Sequence, residues 1–398
     1  MVILASTVHV VAEGLELSGQ GELNYWYFDF GPDQKSLPEG SAPDSRALID
    51  ITRLSLELET ELLEDTELEM EVEFEHGGTG GALELEYEEF GEFEPEVEKG
   101  GEVVLEEFVI TRLVRDNLRV SIGHFYVGVG LLADLHQPTE FFGSVRSEAE
   151  TSMIPAVWHE TGLEITGNFR RWRYRLQLVN GLDAAGFSSQ HWVASGHQGR
   201  FEQIRADNLA LIARVDAEIR PGVTLGGSIY RGDSADNRPK PDMKGVDAHV
   251  TILDVHGHVN RERLRLRGLF MVGHLENAGL VSDRNRTLSN NLDVLRSPVA
   301  SAVRAIFLEA GFDVLPWIAR RPDERLDLFL RYDDYDTMAE MPKGYFDNPR
   351  FARRVYTLGA NYNLADTIVL KADYSMRRLG AGHLNGENTL GLALGFVL

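Results

Sequence analysis

Two rows of like charge dominate what this 398-residue chain could do chemically. Glu57, Glu59 and Glu61, then Glu67, Glu69, Glu71, Glu73 and Glu75, fall at every second position, interleaved with Leu58, Leu68, Met70, Val72 and Phe74. Arg171, Arg173 and Arg175, and later Arg263, Arg265 and Arg267, repeat the rhythm with opposite sign. A row of carboxylates repels anions and gathers cations, whereas a guanidinium matches phosphate oxygens in fork geometry. On opposed walls of a passage, the two rows would set up a transverse field that orders dipolar solutes and biases ion flow.

Catalytic signatures are poor beside these rows. "WHETG" at 158–162 begins like a zinc-protease helix but lacks the second histidine and lies in a strand pattern. Neither a Gly-x-Ser-x-Gly elbow nor a phosphate loop occurs. His249, His256 and His258 share one strand, the last two on one face at ligand spacing, yet such histidines are more often plain polar lining. Asp333, Asp334 and Asp336 offer oxygens of the kind Ca²⁺ takes, although hairpin loops favour aspartate anyway. The expectation is no catalytic residue, no metal ligand, no cofactor and no enzyme.

Period-two alternation puts successive side chains on opposite faces of a strand, so strands must carry the charged rows. The alternation runs from end to end. Leu118, Val120 and Ile122 oppose Arg119 and Ser121, and Leu209, Leu211, Ala213 and Val215 oppose Arg214 and Asp216. Leu264, Leu266 and Phe270, then Leu326, Leu328 and Leu330, then Ile368, Leu370 and Tyr374 continue the apolar face. Outside the loops no stretch reads as an amphipathic helix, and the chain is all-β. Tight polar turns at 62–66, 115–117, 167–168, 220–222 and 364–366 alternate with long stretches near 31–45, 127–155, 181–203, 233–244, 275–300 and 335–352.

That asymmetry puts the long loops at one end of a sheet, as in a membrane barrel with short periplasmic turns and long external loops. The apolar face then meets lipid and the glutamates line a wet lumen. Aromatic residues near strand ends (Tyr25, Trp26, Tyr27, Trp172, Tyr174, Tyr332, Tyr356, Tyr362) suit interfacial girdles. The chain ends inside a strand, Leu390 to Leu398, which a closed barrel pairs with its first strand so that no edge remains. The net charge of −24 argues against a nucleic-acid partner, and the absence of cysteine removes disulfides and thiolate metal sites. Residues 1–12 read as a truncated signal segment, an unordered or buried first strand being the alternative, and 13–398 as one barrel domain. The rival class is a soluble or surface-attached β-sheet binding protein.

A family resemblance adds to this. "LRVSIGHFYVGVGLLADLHQPTEFF", "IPAVWHETGLEITG" and "YRLQLVNGLDAAG" resemble the phosphate-selective porin O and P family, the pattern falling on Leu118, Gly123, Phe125, Gly128, Gly130, His136, Pro138, Ile154, Pro155, Trp158, Glu160 and Gly162. The resemblance implies a transmembrane antiparallel up-and-down β-barrel of roughly 16 strands, 18 being the alternative. It also implies a homotrimer in the outer membrane of a Gram-negative bacterium, contacting lipid and passing small solutes or ions passively. An early long loop that folds inward would make Glu140, Arg146, Glu148 and Glu150 constriction candidates. The chain departs from the family in its acidity, which points away from anions and towards weak cation selectivity or zwitterionic solutes. It also ends on Leu398 where the family has an aromatic residue.

Overall fold

The computed structural model describes residues 14–32, 43–78, 86–87, 93–94, 101–131, 135–198, 204–237, 241–289, 296–380 and 386–398. The segment 1–12 and most of the acidic stretch 84–101 lie outside them. Sixteen strands close into one barrel, each antiparallel to its chain neighbours. They are β1 (Leu15–Pro32), β2 (Pro43–Leu63), β3 (Thr66–Glu75), β4 (Glu102–Arg115), β5 (Leu118–Tyr126), β6 (His159–Phe169), β7 (Trp172–Asn180) and β8 (Leu209–Arg220). The second half is β9 (Val223–Asp233), β10 (His249–Arg261), β11 (Leu264–Leu275), β12 (Ala302–Asp313), β13 (Glu324–Glu340), β14 (Ala352–Leu364), β15 (Ile368–Leu379) and β16 (Gly386–Val397). Closure joins the last strand to the first, with Leu23 opposite Leu394 and Tyr25 opposite Leu392. Every strand then has two partners and no backbone edge is left unpaired.

Alternation sorts the side chains as the sequence requires. Leu211, Val255, Leu330 and Phe270 stand on the outer face and are more than half exposed, and Leu264, Leu266 and Leu370 share that face. Such an apolar exterior is stable against hydrocarbon and unstable against water. The interior is less uniform than a wholly polar lumen. Towards the long-loop end, inward Ile212, Tyr230, Ile252, Met271 and Phe307 form a dry core with Val127, Met153, Phe187 and Trp192, which the loops bring inside. Polar inner side chains remain where the loops do not reach.

One turn differs from expectation. Gly167 and Asn168 stay in the β6–β7 ladder, Asn168 opposite Arg173, and the chain reverses at Arg170 and Arg171 instead. Arg170 takes φ 57°, a left-handed conformation uncommon for arginine but able to match the twist of a tight hairpin.

Candidate functional site

The segment between β5 and β6 enters the barrel and crosses it. Its anchor is the inner face of β12–β15. The backbone N–H of Gly143 donates to Asn361 Oδ1 at 3.1 Å and that of Ser144 to Asp373 Oδ2 at 2.6 Å. The Ser147 hydroxyl donates to Asp333 Oδ1 at 2.6 Å, and the N–H of Ala149 meets the same oxygen. From the wall, Arg331 donates to the carbonyls of Val145, at 2.9 Å, and Phe142, while Asn361 donates to the carbonyl of Phe141 at 3.0 Å. Glycine on the wall makes the room. A Cβ on Gly311 would stand 2.2 Å from the Phe142 ring, and one on Gly391 would stand 2.1 Å from Ser144 Oγ.

All four loop candidates are tied into this arrangement. The Glu140 carbonyl accepts from Arg267. Arg146 donates to the carbonyls of Ala156 and His136 and lies over the Phe141 ring, with burial pushing its guanidinium below its ordinary value. Glu148 takes two hydrogen bonds from Arg377 and one from Tyr335. Burial alone would raise its carboxyl, but Arg377 at 2.7 Å overrides this and holds it below the ordinary 4.5. Glu150 is fully buried and accepts from the N–H of Leu131.

Beside the loop, on the side of the short turns, lies a cavity of about 790 Å³ bounded by the inner faces of β1–β8. Seven carboxylates line it (Glu57, Glu69, Glu71, Glu107, Asp116, Glu164 and Asp216), against the guanidiniums of Arg119, Arg173, Arg175 and Arg214. The β2–β3 register sets Glu57 against Glu71, Glu59 against Glu69 and Glu61 against Glu67, and β4 adds Glu107 opposite Glu71. Like charges at directly opposed positions repel, so this sector needs water, cations or guanidiniums to stay ionised. Glu73 and Glu75 continue the row towards the loop end, where Glu73 meets Arg53 at 2.8 Å. Two of the guanidiniums are committed: Arg175 lies 3.2 Å from Glu164 and Arg214 lies 2.8 Å from Asp216.

The arginine rows divide. Arg173 and Arg175 reach the cavity. Arg171 and Arg263 do not stand on the walls: both lie in hairpin turns, stacked over Trp172 and Trp317. Arg265 and Arg267 face inward but are matched by Asp327 at 2.6 Å and Glu309 at 3.1 Å, away from the glutamate sector. They brace the wall that holds the loop. His256 is engaged on both ring nitrogens, by Asp254 at 2.5 Å and Asp216 at 2.9 Å, which removes it as half of a metal pair with His258. Asp333 points inward to the loop while Asp334 bonds Arg354 on the outer face, so the three aspartates do not share one face. Sequence reasoning noted Arg119, Arg214 and Asp216 on polar faces without singling them out. Arg119 stands on β5 and the Arg214–Asp216 pair on β8, and only the closed barrel brings the two strands to one cavity.

No family model matches the chain. A protein of Aquifex aeolicus (strain VF5) described as uncharacterized is 23% identical over 391 residues, covering 93% of this chain and 77% of that protein. Among solved structures, OprB of Pseudomonas putida superposes with a TM-score of 0.57 at 11% identity, over 97% of this chain and 94% of that one. An anion-selective porin from Comamonas acidovorans gives 0.51 at 12% identity, over 96% and 99%. At such identities the likeness is one of fold: this chain has the closed barrel architecture of outer-membrane porins.

Proposed function

We propose that the protein is an outer-membrane porin of a Gram-negative bacterium, a water-filled channel for passive diffusion of small polar or ionic solutes. The observation that carries this reading is the charged cavity of about 790 Å³ inside a barrel whose exterior is apolar. The folded-in loop leaves this cavity open beside it, on the side of the short turns. Charged groups of both signs spread along such a wall are suited to admitting and sorting solutes. The resemblance to phosphate-selective porins supports assembly as a homotrimer. The side chains argue against phosphate, since the carboxylates of the cavity outnumber its guanidiniums and two of those are already paired. Within about one Debye length, roughly 8 Å at physiological salt, an entering anion feels that excess. Cations and zwitterions are therefore the preferred solutes.

Liposome swelling tests the channel itself. Liposomes holding the folded barrel should admit pentoses and small amino acids at rates that fall with solute size. Impermeable liposomes containing heat-modifiable, folded protein would refute the reading.

A further inference from the structure

β3 and β4 are joined through a bulge. Glu71 pairs with Glu107 and Val72 with Leu105, which leaves Glu106 as an extra residue. A bulge re-aims a side chain, and here it brings another carboxylate to the inner wall. Glu71, Glu73 and Glu106 each place an oxygen within 4.8 Å of the others, all three residues being buried. Arg53 stands beside them, 2.8 Å from Glu73 and 3.8 Å from Glu71. Three carboxyl groups beside one guanidinium crowd like charge, which in a buried setting is costly until a proton or a cation meets it.

A second group points into the same space from β6. His159 is 2% exposed, and its Nε2 makes no hydrogen bond among the described residues. It faces Glu106 Oε2, equally without a hydrogen bond, at 3.9 Å. An imidazole nitrogen and a carboxylate oxygen bound to one ion at about 2.1 Å each stand roughly 3–3.5 Å apart, so a contraction of about 0.4–0.9 Å would bring this pair to binding distance. The surroundings already orient the ligands. Tyr126 Oη donates to Glu71 Oε2 at 3.1 Å, and the Tyr126 ring packs 4.1 Å from that of His159. Glu71 also lines the open cavity, which gives an ion its way in.

We propose that Glu71, Glu73, Glu106 and His159 bind one divalent cation of the Mn²⁺ or Zn²⁺ class. Three carboxylates suit a hard ion, and the imidazole moves the preference from Ca²⁺ and Mg²⁺ towards the first-row metals. The ion would tie β3, β4 and β6 together on the inner wall.

Mn²⁺ titration of the full chain, stripped with chelator and held in detergent, tests this. Binding should saturate at one ion per chain, and pulsed EPR of the bound ion should show coupling to an imidazole nitrogen. Glu106→Gln and His159→Gln should each weaken binding by at least ~10-fold, and the second should abolish the nitrogen coupling. Glu59→Gln, on the same wall but outside the cluster, should leave both unchanged. Absence of saturable binding would overturn the proposal, as would one-to-one binding without nitrogen coupling in the unaltered chain. Should the variants fail to fold, the coupling in the unaltered chain decides. No flux is measured, so failure here leaves the channel proposal standing.

Discussion

Replacing Arg331 by methionine should loosen the loop that crosses the barrel. The guanidinium donates to the carbonyls of Val145 and Phe142 and to Glu309, and both charged partners are 5% exposed. Methionine keeps much of the length and removes all three bonds. Glu309 is not stranded, because Arg267 still reaches it at 3.1 Å. The net loss is therefore two hydrogen bonds from a charged donor, each contributing about 1.5–3 kcal/mol, so ~4 kcal/mol in total. That corresponds to roughly a 1000-fold rise in the population with the 141–146 segment released, and cleavage follows that population when reclosing is fast. Limited trypsin digestion of the folded barrel measures it, the diagnostic cut being after Arg146. A cleavage rate within about tenfold of the parent, in protein that keeps its heat-modifiable migration, would show that Arg331 does not hold the loop.

Leu266→Arg places a charge on the outer face and should cost about 2–4 kcal/mol in urea unfolding in lipid; an unchanged midpoint would reverse the face assignment. Gly311→Val should drive the Phe142 ring from its niche, and Phe142→Ala should relieve the damage, so a double-mutant cycle that is simply additive would contradict the fit. The Glu148–Arg377 tether should weaken in acid. The Glu148 carboxyl is held below its ordinary 4.5, so its stabilisation is complete above that value and is lost as pH falls through the lower folded value. Hydrogen exchange of the loop should therefore accelerate as pH falls below 4.5 in the parent more steeply than in Arg377→Met, and equal slopes would remove Glu148 from the tether.

The outer face was legible in the sequence because hydrocarbon tolerates little but apolar side chains, so Leu209, Leu211, Val215 and their like kept strict alternation. Loop length told the two ends apart for a similar reason: a two-residue hairpin needs no more than its turn. The inner face was harder. Arg265 and Asp327 are 62 positions apart, and nothing local reveals that each neutralises the other. Gly167–Asn168 has the composition of a turn, yet cross-strand pairing carries β6 and β7 further, and this moves Arg171 off the wall. Glu106 shares the same difficulty, since one bulge changes which face every later residue meets. The inward course of the loop depends on Gly311 and Gly391, whose meaning lies in contacts more than a hundred positions away.

The reversal potential of single channels in planar bilayers under a KCl gradient tests the central claim most directly. The cavity lining of seven carboxylates and four guanidiniums predicts discrete conductance steps and a reversal potential of the sign that marks K⁺ as the more permeant ion. It should shift towards zero when Glu57 and Glu69 are replaced together by glutamine. A reversal potential on the chloride side, with phosphate blocking the current, would contradict the account.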